Sequence, residues 1–476
     1  MKRSSGVLMH ISSLNGKYSV GSFGKEAFAF VDFLSECGFE YWQLLPFCLP
    51  DECNSPYKSY SAFSLNPYFI DLPTLYRCGL ITKEELDAAE QITPYACEFK
   101  RLSEERLTLL SKAAERFRGD DLIEEFFRTH KACEQFCTFM ALKKANGGAA
   151  WQEWTVDTPD EKELRLWRFS EYMFFEQWLA VKNYANSKGI KIIGDIPIYV
   201  SLDSSDVWAS PENFLLNRDN IPTSVAGVPP DYFSEDGQLW GNPLYNWKKM
   251  KNDGFAWWKM RMSFMCELFD GVRIDHFRAV ESYYSIPSTS KTAKVGKWVK
   301  GPGMAFVNAM KEVAGDKLII AEDLGVITEE VVNLVKKSGF PGMRVLQFAF
   351  LSDDNSTHLP HNYTENCIAY SGTHDNNTLL GYIWESDDFT RRRLFDYCGY
   401  TGSDFDASQD NILKTLYMSP ARLVIFPIQD LLFYGADTRF NTPGKKDGNW
   451  SYRIVDSDLE KIDRAKLRYF GHLYGR

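Results

Sequence analysis

Nowhere in this chain do about 18 apolar residues run together, the length a helix needs to cross a bilayer. The apolar stretch near the N-terminus is about six residues, too short for a secretory core. Ten cysteines include no CxxC pair and no regular spacing. Several of them (Cys37, Cys266, Cys367) fall in apolar periodic segments, so reduced core thiols are expected in place of disulfides or metal ligands. The seven histidines include no HxH or HExxH spacing, which argues against a metal-dependent barrel hydrolase. No GxGxxG or GxxxxGKS/T follows an apolar run, so the phosphate turn of an open doubly wound sheet is missing. Concentrated basic charge is lacking too: the net charge is -10 with Lys and Arg scattered, a poor footprint for nucleic acid. The expectation is a soluble, cytoplasmic protein with neither membrane nor nucleic-acid partner.

What is present is a globular composition, 44% hydrophobic and 25% charged, with an unusual aromatic load. Thirteen Trp, 24 Tyr and 34 Phe suit a cleft for a flat, hydroxylated ligand, although most such rings fill cores. Eight β-rich apolar runs are bounded by turn signals: 6–11, 41–46, 190–198, 271–275, 317–323, 342–350, 367–375 and 422–430. Amphipathic helical stretches lie between them, several closed by glycine, as in KEAFAFVDFLSEC before Gly38 and TEEVVNLVKKS before Gly339. Strand and helix in alternation predict parallel β with crossover helices, and eight units predict an α/β chain closed into a (β/α)8 TIM barrel.

About 145 residues separate the second and third runs, far more than one crossover requires. The chain is therefore expected to divide into barrel (1–72), helical insertion (73–155), barrel (156–200), an aromatic and proline-rich loop over the active site (201–247), and barrel (248–476). Thr82-Lys-Glu-Glu85 is a capping-box pattern inside the first insertion. The second, rich in Pro, Gly and Trp, is expected to be a long ordered loop.

Active sites of such barrels lie at the carboxyl ends of the strands. Polar residues cluster there: His10, Asp195, Asp275, Glu322, His374 with Asp375, and Gln429 with Asp430. In DGVRIDHFRA (270–279) alternation sends Val272 and Ile274 to one side and Arg273 with Asp275 to the other. The Arg273 ion pair is expected to depress the Asp275 pKa and keep it a standing anion suited to attack. Glu322 has no arginine beside it, ends an apolar run, and is expected to hold its proton as the acid. Asp375 supplies a third carboxylate. Asp270 and Asp323 are expected to be structural. Carboxyls with proton affinities pushed apart, over an aromatic cleft, fit glycosidic bond cleavage.

At this point the chain resembles a family. DGVRIDHFR, IIAEDLGVIT, SGTHDNNT, GDIPIYV, SPYKSYSAFSLNPYFIDL, AGVPPDYFSEDGQLWGNPLY and NTPGKKDGNWSYR closely resemble, in order, the 4-α-glucanotransferases (amylomaltases, disproportionating enzymes), relatives of the α-amylases. The likeness runs from about residue 5 to 453, and such long ordered motifs rarely coincide by chance. It implies a barrel with inserted subdomains, no C-terminal β-domain and no cofactor or metal. It also implies Asp275 as nucleophile, Glu322 as general acid/base and Asp375 as transition-state stabiliser. Substrate contacts are implied for Ser55, Tyr57, Asp195, Asp231, Gln238, Trp240, Arg273, His374 and Asn441. Two departures stand out: Asp51-Glu-Cys-Asn54 replaces the family's usual Gly-Tyr-Gly step, losing an aromatic of a secondary glucan-binding surface, and Gly16–Gly21 lacks the usual proline and glycine.

The function so implied is transfer of an α-1,4-glucan segment to the 4-hydroxyl of a glucose or maltooligosaccharide acceptor, by a retaining double displacement. An α-glucan hydrolase and a catalytically silent glucan-binding barrel are the alternatives.

Overall fold

The computed structural model describes residues 2–230, 235–351, 355–445 and 447–476. Eight strands, β1 (Ser4–Leu8), β2 (Tyr41–Gln43), β3 (Lys191–Ile196), β4 (Gly271–Ile274), β5 (Leu318–Ala321), β6 (Gly342–Val345), β7 (Cys367–Tyr370) and β8 (Leu423–Pro427), close a parallel barrel in sequence order. Each overlaps one of the eight apolar runs, the first beginning two residues earlier, at Ser4. β1 closes the ring on β8, with Gly6 opposite Ile425. The strands read as near-continuous apolar runs because both of their faces are buried.

The helices end where their chemistry dictates. Lys25–Cys37 buries Ala27, Phe30, Val31 and Leu34, and Gly38 stops it at φ 79°, its N–H donating to the carbonyls of Leu34 and Ser35. Glu329–Ser338 stops at Gly339, φ 69°. The long helix Glu161–Ser187 starts from Asp160, whose carboxylate accepts the Glu163 N–H at 2.9 Å. Between β2 and β3 the chain builds helices Leu72–Arg77, Lys83–Ala88, Leu107–Arg116, Asp120–Thr129 and Lys131–Ala145. The capping box forms, with Thr82 and Glu85 each accepting the other's backbone N–H. After β8 the described chain continues in short helices, the last being Arg464–Leu473.

Residues 201–247 differ from the expected ordered loop. Ser224–Val228 and Gln238–Pro243 are strands, and they join Ser282–Pro287 and Lys297–Lys300 in a four-stranded antiparallel sheet. Half of that sheet comes from beyond β4, and its small core (Val225, Tyr284, Ile286, Ala293) exists only once the two segments meet. Strand pairing between distant segments leaves little local periodicity to read.

All ten cysteines are free thiols, and six of them are buried. Among the described residues no helix is long and apolar enough to cross a membrane.

Candidate active site

The register of β3 on β4 sets Asp195 opposite Arg273. Arg273 Nη1 donates to Asp195 Oδ2 at 2.5 Å and Nη2 donates to Asp275 Oδ1 at 2.7 Å. One guanidinium fork thus serves two carboxylates, inside the barrel, with 4% of the side chain exposed. Burial disfavours that cation, but Asp195 and Asp275 outweigh the effect and hold Arg273 charged. Tyr57 Oη donates to Asp195 Oδ2 at 2.6 Å. Its ring stacks on His374, centroids 5.0 Å apart and planes 17° from parallel.

The parallel ladder between β4 and β5 continues past both strands. The Glu322 N–H donates to the Ile274 carbonyl at 3.1 Å, and the Phe277 N–H donates to the Glu322 carbonyl at 3.0 Å. Asp275 and Glu322 therefore occupy the same level of adjacent chains, backbones about 4.8 Å apart. Glu322 is cradled by main chain: Oε2 accepts the His276 N–H at 2.6 Å and Oε1 the Leu324 N–H at 2.8 Å. His276 is in the left-handed region, φ 46° and ψ 47°, which non-glycine residues seldom adopt and which clusters at functional sites. That conformation turns its N–H toward Glu322.

Burial, and then the neighbouring Asp275, push Glu322 up to about 8. The direction is the one expected for a carboxyl that ends an apolar run. Asp275 departs from expectation: burial raises it to about 6 in spite of Arg273. Burial is the largest cause; Arg273 opposes it but is shared with Asp195, whose own charge adds to the rise. The order survives the correction, because Asp275 still loses its proton before Glu322.

Asp375 stands at the mouth, with 48% of its side chain exposed. Asn441 Nδ2 donates to Oδ1 at 2.6 Å, His374 Nε2 lies 3.4 Å from Oδ2, and Arg439 donates to the Asp375 carbonyl at 3.1 Å. Desolvation pushes this carboxyl up, yet His374, Asn441 and Arg273 together hold it below the ordinary carboxylate range. Of the three acids, two are raised by burial and one stays charged.

The other expected contacts divide. Trp240, on the side-sheet strand, meets the His276 ring edge to face at 4.9 Å, and its Nε1 donates to Gln238 Oε1 at 3.0 Å. A groove of about 470 Å³ runs from Trp240 and Asn242 past Tyr60 and Lys143. Ser55 Oγ accepts the Tyr57 N–H at 3.3 Å, shaping the turn that carries the tyrosine. Asp231 lies outside the described residues. Asp323 accepts the Met343 N–H at 2.6 Å and Asp270 the Ile192 N–H at 2.9 Å, both holding strands as expected. Asp430 likewise binds Ser371 Oγ at 2.5 Å, and His10 is packed against Phe47 and Phe69, kept neutral by burial.

Three contributors were not singled out from sequence: the His276 N–H, Arg439, and Trp450, whose indole lies 5.8 Å from Tyr57 and 5.9 Å from His374. Their only sequence signal was membership of the motifs DGVRIDHFR and NTPGKKDGNWSYR or, for Arg439, a position two residues before Asn441. Among the described residues no group of three or more His, Cys, Asp or Glu could hold a metal ion.

Comparison with known proteins agrees with this geometry. The family profile described as 4-alpha-glucanotransferase matches residues 9–457. A 4-alpha-glucanotransferase of Clostridium butyricum is 40% identical over 491 residues, covering 98% of this chain and 100% of that protein. One of Streptococcus pneumoniae is 43% identical over 495 residues, covering 100% and 98%. Among solved structures, the amylomaltase from Streptococcus agalactiae in complex with acarbose superposes with a TM-score of 0.95 at 39% identity, over 100% of both chains. An α-amylase from Geobacillus thermoleovorans, 11% identical with a TM-score of 0.50 over 99% of this chain and 78% of that one, shares the barrel. The chain belongs to the 4-alpha-glucanotransferase family.

Proposed function

We propose that this enzyme transfers a segment of an α-1,4-glucan to the 4-hydroxyl of a glucose or maltooligosaccharide acceptor through a covalent glucosyl-aspartate. The observation that carries the reading is the pair Asp275 and Glu322, level on adjacent strands, with the first losing its proton before the second. In the first half, Asp275 attacks the anomeric carbon, the glycosidic C–O bond breaks, and Glu322 gives its proton to the departing oxygen. In the second half, Glu322 takes the proton of the acceptor 4-hydroxyl, and that oxygen displaces Asp275. Inversion occurs twice, so configuration is retained. Asp375, held by Asn441 and His374, grips ring hydroxyls whose bonds tighten as the sugar distorts. Arg273 orients Asp275 and opposes the rise in its proton affinity.

Transfer requires a sugar to outcompete water. Trp240 beside His276 supplies a flat face next to the acid/base, and the adjoining groove gives an acceptor chain room. Relatives at about 40% identity named for this transfer support the same choice. Incubation with maltotriose is expected to give glucose plus longer oligomers with a constant number of reducing ends. A steady rise in reducing ends favours the hydrolase reading. Asp275→Asn is expected to abolish turnover and leave maltotriose binding measurable by calorimetry; retained turnover removes Asp275 from its role.

A further inference from the structure

We infer that Trp450 is a positioning residue for this reaction, the wedge behind the Tyr57–His374 stack that sets both arms of the acid cluster. The inference rests on the glucan-transfer reading above. Its indole is 93% buried and meets the Tyr57 ring at 42° and the His374 ring at 38°. From Tyr57 one arm runs through Asp195 and Arg273 to Asp275. From His374 the other reaches Asp375. Among the described residues no other ring packs against both members of the stack.

The backbone is consistent with a built feature. Trp450 has φ 63°, a left-handed conformation that bulky side chains rarely adopt and that persists only where its surroundings impose it. Its N–H donates to the Phe440 carbonyl at 2.6 Å, and the neighbouring Asn449 Oδ1 accepts the Thr442 N–H at 2.8 Å. These bonds tie the stretch 440–442 to the stretch 449–450 directly beside Asn441, the residue that grips Asp375. The same short segment therefore holds Asp375 from one side and backs the stack from the other. Asp195 has a second, buried oxygen with no partner among the described residues. Its other oxygen takes both of its side-chain hydrogen bonds, from Tyr57 and Arg273, so a shift of Tyr57 is passed through Asp195 to Arg273.

The test compares full-length Trp450→Ala and Trp450→Phe with wild type by thermal melting, by kcat and KM on maltotriose, and by the pH dependence of kcat/KM. The groups facing Asp275 are Arg273, Asp195, His374, Asp375 and Glu322. Loosening Arg273 removes the influence that lowers the Asp275 pKa, so the acid limb should move to higher pH. Trp450→Ala is expected to lower kcat about 30-fold, since small misplacements of reacting groups cost up to about 100-fold. KM should change little, the acid limb should rise by about half a unit or more, and phenylalanine should recover most of the loss. If the alanine variant does not fold, Trp450→Leu, which fills much of the space without a flat ring, serves the same comparison. Activity lost only in proportion to folded protein, with the acid limb unmoved, overturns the inference. A wild type that hydrolyses maltotriose sinks the transfer reading instead, and the same acid-limb comparison made on hydrolysis still judges Trp450.

Discussion

Replacing Arg273 by lysine tests the charge arrangement of the site most directly. The guanidinium donates from Nη1 to Asp195 and from Nη2 to Asp275, at 2.5 and 2.7 Å. A lysine ammonium keeps the charge but is a single point that cannot reach both oxygens with this fork geometry. Asp195 is wholly buried in its side chain, so the lysine should stay with it and release the half-buried Asp275. The loss is then one hydrogen bond between charged groups, about 1.5–3 kcal/mol. At 1.36 kcal/mol per tenfold in rate, Arg273→Lys should lower kcat/KM about 10- to 150-fold. The direction of the pH effect follows as well. Arg273 is the first influence opposing the burial that raises Asp275 to about 6, so its retreat should move the acid limb of the profile upward. Glucose release from maltotriose, measured across pH with melting temperature as a folding control, reads both effects. A variant within threefold of wild type and with an unmoved acid limb would refute the shared-fork account.

Wild-type kcat/KM should be bell-shaped, rising as Asp275 ionises near pH 6 and falling as Glu322 loses its proton near pH 8; a flat profile from pH 5 to 9 contradicts the assignment. Glu322→Gln should abolish turnover and change the pH dependence of stability. A carboxyl whose folded value of about 8 exceeds its ordinary 4.5 contributes stability that is complete below pH 4.5 and lost as pH rises through 8. The variant should therefore melt higher than wild type at pH 9, with the difference shrinking toward pH 4, and melting curves at the two pH values decide it. Gly194→Ala places a methyl 2.3 Å from the buried Phe269 ring. That overpacking should cost about 1–3 kcal/mol by urea denaturation and, being next to Asp195, should lower kcat too; an unchanged urea midpoint would show that the ring yields freely.

Much of the barrel was legible because its signals are local. Each strand is a short apolar run and each crossover helix an amphipathic stretch with its own stop, as Gly38 and Gly339 illustrate. Parallel strands need both faces apolar, so the charged residues at their carboxyl ends were conspicuous in the sequence. Asp275, Glu322 and Asp375 could be picked out on that ground, and the alternation that turned Arg273 inward could be counted residue by residue.

The side sheet was not legible, because Ser224–Val228 pairs with Ser282–Pro287 across the whole of β4. Nor was the backing of the site by Trp450, or the left-handed turn at His276 that aims an N–H at Glu322. The protonation order was anticipated, but not the level of Asp275, since the effect of burial depends on every chain packed around a carboxyl and the sequence shows only its neighbours along one. Sequence alone thus determined which elements form and which residues stand at their ends, through short-range periodicity and capping. Only tertiary structure decided which of those residues share a guanidinium or a ring stack and how firmly each acid holds its proton, because those relations are set by desolvation and by contacts between segments far apart in the chain.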